Sequence, residues 1–314
     1  MGMEAQTHRQ TGKTLLAFAI IYFVWGSTFL AIRVGVREVP PLILAAMRFL
    51  AAGLVLYGWM AARGERSPNR RQWLSALLLA ILIFLFDYGL LFWAEQRVPS
   101  GLAAVMMATI PVFTAMAEIL FLRTQKLTVR LALALLLGIG GVAVLTSNSV
   151  RLGGVPIDRL GAAALIVGAI SWSAASILSR KLPLPESKGM SSGAQMLVGG
   201  VLLALAAAAR GEFRSFQPAA VSSGAWLALA YLIVAGSIIG FTAYVWLIHR
   251  ESPTKVGTYA YVNPLVAVVL GYFWGREALG VRTILGTLFI LVSVLMVITM
   301  KRAKPSVPAS EVKD

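Results

Sequence analysis

Long apolar runs alternate with short polar or charged stretches along almost the whole chain. The first run, residues 15–32, has the length of a signal-peptide core, but no small-residue cleavage site follows it, so a transmembrane helix is predicted there. A membrane span needs about 20 predominantly apolar residues. Nine further runs meet this requirement, at 40–62, 72–95, 99–122, 129–147, 160–179, 190–209, 225–248, 253–275 and 281–300. The pattern therefore predicts an all-α polytopic membrane protein with ten transmembrane helices.

The composition agrees with a membrane protein and excludes several kinds of site. Of the 314 residues, 58% are hydrophobic and 13% are charged, whereas soluble domains are about 25% charged. The chain has no Cys and only two His, which excludes disulfides and thiol nucleophiles and nearly excludes a zinc centre. We expect neither a metal site nor a cofactor.

Positive charge is distributed unevenly between the predicted loops. Lys and Arg number 28 against 13 acidic residues, which gives a net charge of +15. Such an excess also occurs in proteins that bind nucleic acid, but in membrane proteins Lys and Arg collect in cytoplasmic loops. With the amino terminus inside, the inner loops carry about twice as many Lys and Arg as the outer loops. Both termini are therefore predicted to be cytoplasmic, and no nucleic-acid partner is expected.

Two segments share an arrangement of prolines that indicates interrupted helices. One apolar helix begins at Pro99 and meets Pro111 one helical depth later, and another begins at Pro253 and meets Pro264. Proline is tolerated in the first turn of a helix, but in the interior it removes a backbone hydrogen bond and clashes one turn back. We therefore predict helix breaks at Pro111 and at Pro264.

These breaks indicate where a transport site would lie. The carbonyl one turn before each proline loses its donor, so backbone acceptors are predicted near mid-membrane at Met107 and at Tyr259 or Ala260. Broken helices at corresponding positions in two halves of a membrane protein are the best sequence indication of a transporter's binding site.

Other features also recur between the two halves of the chain. Trp25 lies eight residues before Arg33, and Trp172 lies eight residues before Arg180. Together with the proline segments, they predict two five-helix repeats. The boundaries are 1–14 for an N-terminal tail, 15–147 for the first repeat, 148–158 for a connecting loop, 159–300 for the second repeat and 301–314 for a C-terminal tail. Because five is odd, the second repeat enters the membrane upside down, and inverted repeats allow alternating access.

Several of these residues carry a specific resemblance. They are the run from Trp25 to Phe29, the Arg48-Phe49 pair, the Pro111 and Pro264 segments, and the run from Gly275 to Leu279. From about Leu15 to Lys301 the chain resembles EamA-type members of the drug/metabolite transporter superfamily, and it is especially similar to their aromatic amino-acid exporters. The resemblance implies two inverted five-helix repeats in a bacterial inner membrane and export of amino acids, other metabolites or drugs. Small multidrug transporters of the superfamily carry a proton-binding glutamate in the first helix, and this helix has no acid.

Aromatic, hydroxyl and methionine side chains on the helices expected to surround a cavity are candidates for substrate binding. Rings suit stacking and hydroxyl groups supply hydrogen bonds, although packing or an interfacial position is an alternative for each ring. Methionine gives an adaptable wall. The candidates are Trp25, Ser27, Tyr88, Met107, Thr109, Trp172, Ser173, Tyr244, Tyr259 and Asn263.

Two ionisable residues are predicted at a similar depth inside the membrane, Arg48 in the second helix and Asp87 in the third. Charges at this depth are costly and usually functional. The sequence leaves three interpretations open. They pair with each other, Arg48 binds backbone carbonyls, or they bind the carboxylate and the ammonium group of a substrate.

Other classes of protein find little support. The chain has no His-Glu-x-x-His motif, and its only histidines, His8 and His249, do not suggest a Ser-His-Asp set, so an enzyme is not expected. Thr7 stands where a phosphate-binding loop ending at Gly12-Lys13-Thr14 needs its first Gly, which argues against ATP-driven transport. A channel would need rings of like polar residues, whereas inverted halves suit one bound solute per cycle.

The predicted function is that of a secondary transporter. It would export amino acids, mainly aromatic or bulky neutral ones, and related metabolites or drugs, by alternating access around a central cavity. An exporter of drugs or other metabolites with the same fold is the alternative. The expected partners are a small-molecule substrate and the lipid bilayer, and both a monomer and a homodimer remain open.

Overall fold

The computed structural model describes residues 2–122, 127–146, 158–248 and 259–299, together with Arg250 and Val256. The predicted helix start at Pro253, nearly all of the predicted loop at 148–158 and the predicted tail at 301–314 lie outside these residues. The described part is helical and contains no strand.

The helices follow the predicted runs closely, except that the first helix begins at Gly2, within the tail predicted at 1–14. In the first half they are α1 (Gly2–Gly35), α2 (Pro41–Ala62), α3 (Arg70–Ala80, Ile81–Tyr88 and Gly89–Ala94), α4 (Ser100–Met107, Ile110–Ala117 and Glu118–Leu122) and α5 (Val129–Thr146). In the second half they are α6 (Arg159–Leu178), α7 (Lys188–Ala209), α8 (Ser223–Tyr231, Leu232–Ile239 and Gly240–Ile248), α9 (Tyr259–Phe273) and α10 (Val281–Ile298). By length and composition, seven of the helices in the described residues can cross a membrane, and α5, α9 and α10 are shorter apolar helices. The prediction of ten helices is confirmed.

Local sequence signals explain where several helices begin. Asn69 precedes α3, where its side chain accepts a bond of 3.0 Å from the backbone N–H of Gln72, whose side-chain oxygen accepts one of 2.9 Å from the backbone N–H of Asn69. Asp158 caps α6 and Ser187 caps α7 in the same manner, with one side-chain oxygen each. These bonds satisfy N–H groups that the first helical turn leaves without a partner.

A wide helical segment occurs at the same place in both halves. The middle parts of α3 (Ile81–Tyr88) and α8 (Leu232–Ile239) are π-helices of 8 residues each, and a glycine follows each of them, Gly89 and Gly240. Such segments are rare and often occur at functional sites. Their equal length sets the register in which the two halves are compared.

The packing of the helices shows the internal symmetry. α2 packs against α7, α4 against α9, and α5 against α10. α1 packs against α8 and α9, while α6 packs against α3 and α4. If each helix is exchanged with its counterpart in the other half, this set of contacts is unchanged. That is the pattern of two five-helix repeats related by a twofold axis, and in an inverted pair this axis lies in the membrane plane.

Carboxylates from each half cap helices of the other half at one end of the molecule, which we call the capped end. Glu38 of the first half accepts bonds of 2.6 Å and 2.7 Å from the backbone N–H and the hydroxyl of Ser222, at the start of α8. Glu212 of the second half accepts bonds of 3.0 Å and 3.1 Å from the backbone N–H groups of Leu42 and Ile43 in α2. A negative charge is favourable at a helix amino terminus.

A third such contact joins α4 to the loop before α10. The carboxylate of Glu277 accepts bonds of 2.6 Å and 2.7 Å from the backbone N–H and the hydroxyl of Ser100, and one of 3.0 Å from the backbone N–H of Gly101. A Cβ atom on Gly101 would lie 2.9 Å from Cα of Val268, so glycine permits α4 and α9 to cross closely here. The two halves are therefore tightly joined at the capped end.

The two predicted helix breaks have different outcomes. α4 is interrupted at Ala108 and Thr109, just before Pro111, and resumes at Ile110. α9 continues without interruption from Tyr259 to Phe273 with Pro264 inside it, so the predicted break at Pro264 is wrong. The physical reason lies in the residue before the proline and is described with the site.

Candidate functional site

Three aromatic residues from α1, α8 and α9 form one group, which we call the first ring cluster. The ring centroids of Trp25 and Tyr259 are 5.2 Å apart, those of Trp25 and Tyr244 are 5.3 Å apart, and those of Tyr244 and Tyr259 are 6.1 Å apart. The indole Nε1 of Trp25 donates a bond of 3.1 Å to the backbone oxygen of Gly236 in α8. Three predicted site residues thus lie in mutual contact.

Asn263 lies beside this cluster and stabilises the proline-containing helix. With its amide nitrogen turned towards the neighbouring carbonyls, the side chain donates to the backbone oxygens of Tyr22 at 3.1 Å, Ile21 at 3.2 Å and Tyr259 at 3.3 Å. These bonds join α1 to α9 and give the Tyr259 carbonyl a donor, so it is not the free acceptor that the sequence predicted. A Cβ atom on Gly26 would lie 2.6 Å from Cβ of Val266, which shows how closely the two helices approach.

A second group of aromatic residues, the second ring cluster, joins α2, α3 and α6. It contains Phe49, Phe84, Tyr88, Phe92 and Trp172. Ring centroids are 4.7 Å apart for Phe49 and Tyr88, 4.8 Å for Phe49 and Phe84, and 6.0 Å for Tyr88 and Trp172. The two clusters are neighbours at Gly236 of α8, whose backbone oxygen accepts the Trp25 bond and whose added Cβ atom would lie 3.3 Å from Nη2 of Arg48.

Arg48 is buried against the second ring cluster. Its guanidinium carbon lies 4.8 Å from the ring centroid of Phe49, 5.4 Å from that of Tyr88 and 6.0 Å from that of Phe92. The Nε group donates a bond of 3.0 Å to the hydroxyl of Ser237 in α8, and Nη1 has no partner in the described part of the chain. A cation held against rings with unused donors is suited to binding a carboxylate.

Asp87 does not pair with Arg48. The side chain is buried, Oδ1 has no hydrogen-bond partner among the described residues, and it forms no ion pair there. It faces α6, where a Cβ atom on Gly168 would lie 3.3 Å from Oδ1, whereas Arg48 faces Ser237 of α8. The pairing interpretation is therefore wrong, because the two side chains point towards different helices.

The predicted hydroxyl groups make mostly local bonds. Ser27 donates to the backbone oxygen of Val24 at 2.9 Å and shares a bond of 2.6 Å with the hydroxyl of Tyr231, so it does not contact either ring cluster through these bonds. Thr109 donates to the backbone oxygen of Met106 at 2.6 Å inside the α4 break. Met107, one of the predicted candidates, is buried in the core.

Ser173 connects α6 to the interrupted helix α4. Its hydroxyl lies 3.0 Å from the backbone oxygen of Ile110 and 2.8 Å from that of Ala169. Ile110 directly precedes Pro111, so this bond supports the helix where it resumes after the break. Most of the predicted residues thus lie in the two ring clusters or make hydroxyl bonds that stabilise the backbone.

One buried carboxyl group was not predicted. Glu95 follows the last residue of α3 at the capped end, is 0% exposed, and has no hydrogen-bond partner for either carboxylate oxygen among the described residues. The Arg33 guanidinium donates instead to the backbone oxygen of Glu95. Burial, and then the nearby Glu277, raise the pKa of the Glu95 carboxyl well above its usual value, while Arg33 and Arg48 oppose this shift. In the sequence, Glu95 ends an apolar run, where a carboxyl is normally solvated.

Within the described residues, no group of three or more His, Asp or Glu side chains is placed to hold a metal ion. An ion pair between Arg180 and Glu118, with a nitrogen–oxygen distance of 3.1 Å, lies at the opposite end from Glu95. It joins α6 to α4. The groups near the ring clusters that could bind a solute are therefore the Arg48 guanidinium, the Asp87 carboxyl group, aromatic faces and hydroxyl groups.

Comparison with known proteins gives a consistent result over nearly the whole chain. The model of the EamA-like transporter family matches residues 12–147 and again residues 159–299. A protein named uncharacterized inner membrane transporter YedA, from Escherichia coli (strain K12), is 39% identical over 295 residues, which cover 93% of this chain and 92% of that protein.

More distant relatives extend the match to other organisms. The uncharacterized transporter YvbV of Bacillus subtilis (strain 168) is 24% identical, with 93% of each chain covered. The WAT1-related protein At3g02690, chloroplastic, of Arabidopsis thaliana is 25% identical over 88% of this chain and 67% of that protein. A protein crystal structure with 23% identity superposes with a TM-score of 0.59 over 91% of this chain and 96% of that chain, which supports the fold alone.

Proposed function

Because this chain belongs to the EamA-like transporter family, it is a multi-pass membrane transporter and not an enzyme, and we propose that it exports amino acids. The proposed substrates are aromatic or bulky neutral amino acids, with related metabolites or drugs as further ones. Transport is secondary and proceeds by alternating access around a central cavity between the repeats, 15–147 and 159–300. The proposed binding residues are those of the two ring clusters with Asn263, Arg48 and Asp87, and the hydroxyl groups stabilise the surrounding backbone.

The proposed location is the inner membrane of a bacterium, with both termini in the cytoplasm. The relative from Escherichia coli is named an inner membrane transporter. The excess of Lys and Arg in alternate loops supports the orientation, since positive loops stay inside. In this orientation the capped end faces the periplasm, and the end with the Arg180–Glu118 ion pair faces the cytoplasm.

The observation that carries the proposal is the environment of Arg48. Its guanidinium lies against Phe49, Tyr88 and Phe92, and one of its terminal nitrogens is buried and has no partner among the described residues. A guanidinium binds a carboxylate with two parallel hydrogen bonds. Rings beside it supply apolar and stacking contacts for an aromatic side chain. A carboxylate attached to a bulky apolar group satisfies both features together.

The central test is counterflow in proteoliposomes. Vesicles loaded with unlabelled L-phenylalanine should accumulate labelled L-phenylalanine, and exchange should saturate with concentration. An Arg48→Met variant should exchange it at least about tenfold more slowly, because losing a hydrogen bond to a charged group costs about 1.5 to 3 kcal/mol. Arg48→Lys should fall between the two, since lysine keeps the charge but not the planar fork.

The controls separate this proposal from export of cationic drugs. An Arg66→Met variant, altered at an exposed loop residue, should exchange L-phenylalanine as the unmodified protein does. Phenethylamine keeps the ring and the amine but has no carboxylate, so it should not exchange. Equal exchange of phenethylamine and L-phenylalanine, or normal exchange by Arg48→Met, would contradict carboxylate recognition and favour an exporter of amphipathic cations.

A further inference from the structure

Ser237 carries a buried hydroxyl group that joins the cation of the first repeat to the second repeat. It lies in the π-helical part of α8 and is 3% exposed. Its Oγ accepts a bond of 3.0 Å from Nε of Arg48, which belongs to α2. Both partners are buried. In such surroundings a hydrogen bond is electrostatically stronger than in water, so this contact restricts the direction of the guanidinium.

A second bond fixes the direction of the Ser237 hydroxyl. Its Oγ donates a bond of 3.0 Å to the backbone oxygen of Leu232, the first residue of the same π-helix. A hydroxyl has one hydrogen to donate, and the Nε group of an arginine can donate but not accept. With its hydrogen on Leu232, Ser237 keeps its lone pairs for Arg48. An alanine at position 237 would leave Nε without this acceptor.

The glycine before Ser237 allows the guanidinium to lie close to α8. A Cβ atom on Gly236 would lie 3.3 Å from Nη2 of Arg48 and 2.8 Å from Cγ2 of Thr28. Gly236 and Ser237 thus contact two nitrogens of the same group, Nη2 and Nε. The rings of the second ring cluster also contact it, with Phe49 at 4.8 Å. The guanidinium is therefore held between α8 and the rings.

This arrangement leaves one edge of the guanidinium for a ligand. A planar guanidinium can hold a carboxylate with two parallel bonds, either through Nε and one terminal nitrogen or through both terminal nitrogens. In Arg48 the Nε group is used by Ser237, and Nη1 is buried with no partner in the described part of the chain. The edge formed by Nη1 and Nη2 therefore remains for a carboxylate.

We propose that Ser237 is a positioning residue for substrate recognition, which holds Nε of Arg48 and so presents Nη1 and Nη2 to the carboxylate of the substrate. This inference rests on the proposed amino-acid transport and adds the residue that sets the direction from which the carboxylate binds. Ser237 does not touch the substrate and acts through Arg48. A side chain that is already held in its binding orientation loses less freedom when the ligand binds, so the affinity depends on Ser237.

The concentration dependence of counterflow tests this role. In Ser237→Ala, the L-phenylalanine concentration for half-maximal exchange should rise about three- to tenfold, because Arg48 loses the bond that holds it. The maximal rate should change by less than about twofold. A residue that merely supports the fold would instead lower the maximal rate, through the amount of active protein, and leave the half-saturating concentration unchanged. An unchanged half-saturating concentration in Ser237→Ala would overturn the proposal.

Two further variants separate an action through Arg48 from a general effect of losing a buried hydroxyl. Ser293 is 0% exposed and donates a bond of 2.6 Å to the backbone oxygen of Ala134, and Ser293→Ala should leave the half-saturating concentration unchanged. Adding Ser237→Ala to Arg48→Met should change it by less than about twofold, because the group that Ser237 holds is already absent. An increase in either protein as large as that in Ser237→Ala alone would overturn the proposal.

A measurement without substrate keeps the inference separate from the proposed function. In NMR spectra of protein with isotope-labelled arginine, the Nε–H resonance of Arg48 is the one absent from Arg48→Met. Its hydrogen should exchange with water at least about tenfold faster in Ser237→Ala, because the bond that protects it is lost, and Ser293→Ala should leave the rate unchanged. If no amino acid binds, the proposed function fails, and this rate still decides whether Ser237 holds Arg48. Equal rates in Ser237→Ala and the unmodified protein would overturn the positioning role even if amino acids are transported.

Discussion

Glu95 closes α3 at the capped end, where its carboxyl is completely shielded from solvent. Burial, followed by the nearby Glu277, raises the pKa of this carboxyl well above the usual value of 4.5. Unfolding returns it to that value. The folded protein therefore binds this proton more tightly, and it loses stability as the pH rises from the usual pKa towards the raised one.

A Glu95→Gln variant should not lose stability in this way as the pH rises. Its melting temperature should match that of the unmodified protein in acid, because glutamine resembles the protonated acid. At higher pH the melting temperature of the variant should exceed that of the unmodified protein, by about 2 to 4 °C for each kcal/mol of difference in the free energy of unfolding. Thermal unfolding in detergent, followed by tryptophan fluorescence over a pH series, measures this. Glu65→Gln, at an exposed carboxyl, should leave the pH profile unchanged, and parallel profiles for Glu95→Gln and the unmodified protein would contradict the expectation.

At the scale of single residues, the sequence identified which groups are unusual but not what they contact. Arg48 and Asp87 stood out because charges inside an apolar run are costly. Their partners depend on which way each side chain points around its helix, and these helices are apolar on nearly every side. The bond from Arg48 to Ser237 and the contact of Asp87 with Gly168 were therefore beyond the sequence pattern.

At the scale of elements, the two proline segments show how one motif gives two structures. In α4 the chain breaks before Pro111, and the hydroxyl of Thr109 bonds to the backbone oxygen of Met106 at 2.6 Å. In α9 the carboxamide of Asn263 donates to carbonyls of both α9 and α1, and the helix continues through Pro264. Proline removes one backbone donor in each case, and in α9 the bonds from Asn263 to α1 hold the helix against its neighbour. The π-helices were likewise absent from the prediction, because the apolar runs carry no signal for one extra residue per turn.

An Asn263→Leu variant should therefore destabilise α9. The substitution keeps a similar volume but leaves carbonyls of Ile21 and Tyr22 without this donor, at a cost of about 1 to 3 kcal/mol. The melting temperature in detergent should fall by several degrees. In Gln195→Leu, the lost bond joins only Ser191 of the same helix, so the decrease should be much smaller. Equal decreases in the two variants would show that Asn263 does not support the helix.

At the scale of the whole molecule, the capped end joins the two repeats through carboxylates that each reach across to the other half. Glu38 bonds to Ser222, Glu212 to the start of α2, and Glu277 to the start of α4. The sequence predicted the inverted repeats from recurring tryptophans and prolines. It did not predict these contacts, because caps between distant segments depend on the tertiary arrangement.

Fixing one of these contacts should stop transport. The chain has no Cys, so Glu38→Cys with Ser222→Cys introduces the only two thiols, and both positions are exposed. A short cleavable linker that reacts with both thiols should hold the capped end closed and reduce counterflow to background. Cleavage of the linker with a reductant should restore counterflow. Each single-Cys variant treated with the same linker should remain active, and undiminished counterflow in the linked pair would show that this end need not open.

The confinement of Arg48 and Asp87 to the first repeat has a consequence for direction. Two identical halves would present the same wall to a solute arriving from either side, so its affinity would be equal on arrival and on departure. Here the counterparts of the two ionic groups are Gln195 and Ile238. The two openings of the molecule are therefore chemically unlike, so the solute can bind with unequal affinity from the two sides, although accumulation against a gradient still needs a coupled source of free energy.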